Sequence, residues 1–163
     1  MKIKEYAPLL LALLSFSSFA SKELAFELSP NELNLPAKLG LPANKTNAWI
    51  SQSGVGMDAN INQLRTGANT NAIINQRGGN NTANIAQAYG NSDLAIISQN
   101  GWGNDAIIVQ HGSNNAAAIS QDGNSNYAKI IQVGNNLGGV KVSQTGAGNG
   151  ITVKVTSLGV TTR

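Results

Sequence analysis

Along most of this chain, apolar and polar residues alternate with a period of two inside short segments, and the segments themselves recur. Isoleucine or valine stands at Ile50, Ile61, Ile74, Ile85, Ile97, Ile108, Ile119, Ile130 and Val142. Two residues after each comes a glutamine: Gln52, Gln63, Gln76, Gln87, Gln99, Gln110, Gln121, Gln132 and Gln144. Two residues before each comes Ala48, Ala59, Ala72, Ala83, Ala95, Ala106, Ala117, Ala128 or, in the last, Val140. A spacing of two puts Ala, Ile and Gln on one face of an extended strand, whereas a helix would spread them around its cylinder. Between these segments lie Gly, Asn and Ser, which tolerate turn geometry; the turn glycines are Gly54, Gly78, Gly101, Gly112, Gly123, Gly134 and Gly146. The pattern predicts a strand of about five residues and then a turn, twice per coil.

Neighbouring glutamines are 11 to 13 residues apart and alternate ones 22 to 24 apart. A repeat of that period signals a solenoid. One strand–turn–strand coil cannot bury its own Ala/Ile face, so coils must stack, at roughly the 4.8 Å spacing of paired strands. The predicted fold is therefore all-β: a β-solenoid, or cross-β stack, of five coils running approximately over 47–69, 70–92, 93–115, 116–137 and 138–163. The inward glutamines are expected to form an amide ladder, because a buried amide is costly unless hydrogen-bonded and identical stacked amides satisfy one another. The phasing argues against a disordered Gln/Asn-rich tract.

The ends depart from the rule. In the last coil Ile151, Val153 and Val155 occupy the Ala, Ile and Gln places, and 156–163 carries no repeat. Residues 1–20 read as a secretory signal, with Lys2 and Lys4, the apolar Leu9 to Leu14, and Ser18-Phe19-Ala20 as a cleavage site. Residues 21–46 carry Pro30, Pro36 and Pro42, which forbid a continuous helix or central strand, and read as a mobile leader or an unstructured spacer. The solenoid then occupies 47–163.

Composition narrows the chemistry. Eleven Lys plus Arg against eight Asp plus Glu give +3, too mild to imply nucleic acid, and without cysteine there is no disulfide or thiol chemistry. Asp58, Asp93, Asp105 and Asp122 do not share one phase, which argues against a calcium-binding roll. His111 stands in a turn with no recurring partner, so neither a triad nor a metal site is predicted, and no cofactor is implied. The sparse charges of the repeats are expected on the surface, as gatekeepers against edge-to-edge pairing or simply for solubility. Trp49, Ile73, Ile96, Ala118 and Lys141 would form one outward column, an interaction surface or scattered surface apolar residues.

The unit Gly-x-x-Asn-x-Ala-x-x-x-Gln, as in Gly101 to Gln110, repeated behind a signal-like segment, resembles the curlin repeat of bacterial curli fibres. That resemblance covers roughly residues 47 to 155. It implies a secreted, non-enzymatic subunit that passes an outer-membrane channel and assembles with homologous curlin subunits into extracellular amyloid for adhesion and biofilm. The Asn31-Glu32-Leu33 leader, the basic balance and the degenerate last coil ending in Arg163 look most like the minor, nucleating subunit. By the same resemblance, 138–163 would be the anchoring end, held by outer-membrane anchoring proteins, and the regular coils the template. The major fibre subunit, and a monomeric solenoid binding glycan or ice, remain the alternatives.

Overall fold

The computed structural model describes residues 26–28 and 45–163, and among them there is no helix. The signal read at 1–20, and the leader at 21–46 apart from 26–28 and 45–46, lie outside the described residues. Twelve strands follow in order: β1 (Phe26–Leu28), β2 (Asn47–Val55), β3 (Asp58–Leu64), β4 (Asn71–Gly79), β5 (Thr82–Ala88), β6 (Leu94–Trp102), β7 (Asp105–His111), β8 (Asn115–Asn124), β9 (Tyr127–Val133), β10 (Gly138–Ala147), β11 (Gly150–Thr156) and β12 (Gly159–Thr162).

Successive strands alternate between two facing sheets. The first has the order β1-β10-β8-β6-β4-β2 and the second β12-β11-β9-β7-β5-β3. From β2 to β11 each strand pairs in parallel with the equivalent strand of the next coil, so Ile74 stands on Ile97 and Ile108 on Ile130. The fold is thus a β-solenoid of five coils. Ala72, Ile74, Ala83, Ile85, Ala95, Ile97, Ala106, Ile108, Ala117, Ile119, Ala128 and Ile130 fill the space between the sheets, none more than 2% exposed. Burial of each isoleucine stabilises the stack by about 1.5–3 kcal/mol.

Three features differ from the pattern-based expectation. The strands from β2 to β11 run seven to ten residues rather than about five, because pairing with the coils above and below carries the ladder past the apolar triplet. As a consequence Gly54, Gly78, Gly101, Gly123 and Gly146 lie inside β2, β4, β6, β8 and β10 rather than in turns, while Gly112 and Gly134 follow β7 and β9. At Gly101, φ is +121° and an added Cβ would lie 1.9 Å from the Gly123 carbonyl oxygen of the next coil. Only glycine allows that approach.

The second difference is at the first coil. Ile50, placed with the core by its phase, is 46% exposed, and Ala48 and Gln52 are exposed too. Nothing is wrong with their phase; no strand pairs with the far side of β2 or β3 among the described residues. The third difference is Asp93, which is 1% exposed rather than on the surface. It stands just before β6, in the column of Thr70 and Asn115, both also buried.

At the other end, both sheets are partly covered. β12 folds back antiparallel on β11, pairing Val153 with Thr162 and Thr156 with Gly159. β1, which falls within the segment read as leader, runs antiparallel along β10 from Phe26 opposite Lys141 to Leu28 opposite Gly139.

Candidate functional site

The groups that join coil to coil are built from the strand ends upward. In β4, Ala72, Ile74 and Gln76 face inward, and the Gln76 amide ends buried at 0% exposure. Its Nε2 has two hydrogens. One is donated to Oε1 of Gln99 in the next coil at 2.7 Å, the other across the core to the Asp58 carbonyl at 3.1 Å. Its own Oε1 accepts from Gln52 Nε2 at 2.8 Å. Both donors and the acceptor are used, which is why the amide can be buried at little cost.

The same three-way bonding recurs. In the first sheet the amides run Gln52, Gln76, Gln99, Gln121, Gln144, and in the second Gln63, Gln87, Gln110, Gln132, each donating to the next at 2.7–2.9 Å. From Gln63 onward each also donates to the first-residue carbonyl of a facing strand, or the one beside it, such as Leu94 for Gln110 and Tyr127 for Gln144. Because that carbonyl needs a donor, it fixes which way every amide is turned. The ladders are therefore polar: nitrogen toward the last coil, oxygen toward the first.

The asparagine of the Gly-x-x-Asn-x-Ala-x-x-x-Gln unit builds a second amide column beside the expected glutamine one. Asn81, Asn104, Asn126 and Asn149 each stand just before a strand of the second sheet. Asn104 donates from both its backbone N and its Nδ2 to Asn81 Oδ1, and Asn126 does the same to Asn104. Asn81 and Asn104 each donate Nδ2 to a carbonyl one coil on, Gly101 and Gly123. The repeat unit holds these asparagines at one phase, but phase alone does not tell a turn residue from a rung; the bonds to the next coil do.

The two arcs of a coil differ accordingly. From the first sheet to the second, glutamine to glutamine is always 11 residues, as in Gln52 to Gln63 and Gln121 to Gln132. The return takes 13 from Gln63 to Gln76 but 11 from Gln110 to Gln121. The arc with the asparagine ladder cannot change length without breaking it. The return arc holds Thr70, Asp93 and Asn115 at the matching place instead, and of these three side chains only that of Asn115 donates to the following coil, to the Gly134 carbonyl at 2.9 Å. Asp93 Oδ1 accepts from the Asn115 backbone N at 2.9 Å, but its Oδ2 has no partner. Burial pushes the Asp93 carboxyl up to about 6, against the opposing effect of that hydrogen bond. Burial also raises Asp105, whose Oδ1 is unpartnered.

The outward residues Trp49, Ile73, Ile96, Ala118 and Lys141 do stand in one continuous register column. Only Trp49, at 60%, is among the exposed large apolar residues. On the return arc, Tyr89 and His111 pack with their rings tilted by 42° and the centroids 5.2 Å apart, and the Arg65 guanidinium lies 5.7 Å from the Tyr89 ring. His111 thus has an aromatic neighbour rather than a catalytic one. No group of three or more His, Cys, Asp or Glu suited to a metal occurs among the described residues.

The ladders end differently at the two ends. Among the described residues, Oε1 of Gln52 and of Gln63 accept no hydrogen bond, while their nitrogens bond inward to Gln76 and Gln87. At the far end the second-sheet ladder stops at Gln132, which turns its amide to the Ala116 and Gly138 carbonyls. Val155 stands where the next rung would be, 4% exposed.

Comparison with curated proteins and with solved structures finds no match. Residues 101–134, which run from the end of β6 through β9 and hold Gln110, Gln121 and Gln132, match the family model of the curlin associated repeat.

Proposed function

We propose that this chain is a secreted, non-enzymatic structural subunit of a curli-type amyloid fibre, and within it the minor subunit that nucleates polymerisation at the cell surface. One observation carries the reading: the glutamine bonds that join coil to coil recur in both columns as far as Gln132 and Gln144, so the same bonds serve between chains. An uncovered rung of paired strands recruits another of the same register. The nine glutamines are the assembly ladder, the isoleucine column its dry core, and the strand glycines the positions that let coils approach. The minor-subunit assignment is supported by the last coil, which is basic, ends in Arg163 and has Val155 where the ladder would continue. Its partners are then homologous curlin subunits and the outer-membrane proteins of secretion and anchoring, with 138–163 as the anchoring end.

Thioflavin T kinetics of the chain from Ser21 to Arg163, alone and as a sub-stoichiometric seed for a major curlin, test this. A shortened lag in the partner is the expected outcome. A protein that stays monomeric and seeds nothing would be a solenoid binding module for glycan or ice. Fibre mass made chiefly of this chain would make it the major subunit.

A further inference from the structure

The two ends of the stack are chemically different, and the difference dictates which end takes a partner and how the partner must be turned. Resting on the fibre-subunit reading, we infer that recruitment occurs at the β2/β3 edge alone, and that its occupant is the last coil of a chain of the same repeat carrying glutamine in both columns and no covering strand.

Four observations converge on this. First, β2 and β3 offer nine- and seven-residue edges with no neighbour on their outer side among the described residues, and Ala48 and Ile50 lie exposed there. Second, Gln52 and Gln63 present Oε1 at this edge, so the edge asks for N–H donors at two fixed points. A last-coil glutamine bonded like Gln144 to a facing carbonyl has one N–H left, pointing onward. A partner arriving by its first coil would instead set oxygen against oxygen. Third, at the opposite end β1 and β12 run antiparallel against residues 139–141 of β10 and 153–156 of β11, so among the described residues the longest stretch of parallel edge left without an outer neighbour is 142–147 of β10. An edge interrupted by short antiparallel strands is less open to strand addition than the full lengths of β2 and β3. Fourth, Val155 removes the donor that a second copy of this chain would need to satisfy Gln63. Addition of this chain to itself is therefore disfavoured, and a regular homologue is the better occupant.

The probe is an uncovered form of this same chain: Val155→Gln, residues 157–163 removed, and Phe26, Glu27 and Leu28 each replaced by proline, which cannot donate to a ladder. The natural chain alone should elongate more slowly than the probe. Added sub-stoichiometrically, it should shorten the probe's Thioflavin T lag, and gold-labelled natural chain should sit at one end of each fibre. Seeding efficiency should fall on the order of fivefold for Gln52→Leu or Gln63→Leu, and about 25-fold for both. A folded domain fused after Arg163 should leave seeding unchanged. Seeding lost with that fusion, label at both ends or along the fibre, or full seeding by the double glutamine variant would each overturn the inference while leaving the fibre reading standing. No Thioflavin T-positive fibres from the probe, alone or seeded, would overturn both.

Discussion

The first and last coils of this stack are made from the same repeat but live under opposite conditions. The first has its inward face phased for a core that is only half built: Ile50 is 46% exposed and the oxygens of Gln52 and Gln63 await donors. The last has Val155 in place of its second-sheet glutamine and is partly covered, by β12 along residues 153–156 and β1 along 139–141; Val153 and Val155 are at most 4% exposed. The lesson is that burial in a solenoid belongs to the neighbouring coil rather than to the residue. A regular coil left bare is an unfinished interface, whereas an irregular coil can be finished by its own chain.

Pairs of substitutions at equivalent places test this contrast. The largest effect is expected for Gly101→Ala, where a Cβ would meet the Gly123 oxygen at 1.9 Å, against Gly146→Ala, where the nearest atom is Asn149 Nδ2 at 4.0 Å. Both incur the cost of positive φ, about 1–3 kcal/mol. Only the first should go further and abolish the cooperative urea transition followed by circular dichroism. Next is Ile108→Ala, buried at 0%, which should cost about 3–4 kcal/mol, against Ile50→Ala, which should cost under about 1 kcal/mol in the same assay. Gln110→Leu strips the acceptor from Gln87 and leaves the Leu94 carbonyl and Gln132 Oε1 without their donor, for a loss of about 2–3 kcal/mol. Gln52→Leu removes only the donor to Gln76 Oε1 and should cost about 1 kcal/mol; an equal loss in both would refute the idea that the end rung carries less of the fold.

The smallest effect concerns Asp93. Its folded value, about 6, lies above the ordinary 3.8, so the folded form holds a proton that the unfolded chain releases between those two values. Stability is therefore greatest below about pH 4, falls as pH rises toward 6, and is level above it. Asp93→Asn gives this position the donor that Asn115 already has, and should raise stability at pH 7 by about 1–2 kcal/mol with no gain at pH 4. Urea midpoints of both forms at the two pH values check it, and a gain of the same size at pH 4 would rule out the carboxylate as its source.

The alternation of Ala, Ile and Gln, being local, was enough by itself to determine the strands, the face each residue takes, the stacking period and the count of coils. It also marked the last coil as irregular at Val140, Ile151, Val153 and Val155. Matters that depend on a neighbour one coil away were decided only by the tertiary structure. Strand length was one, since Gly78 and Gly101 become strand residues only when another coil pairs with them. The choice of Asn81, Asn104 and Asn126 as a ladder was another, because an asparagine in a turn looks the same in sequence whether or not a second one stands beneath it. The burial of Asp93 and the fold-back of 159–162 on β11 follow the same logic. Above all, a repeat is symmetric in sequence but a side-chain amide is not: the direction of the glutamine ladder, and with it the difference between an accepting first coil and a closed last one, comes from the facing carbonyl that orients each Nε2.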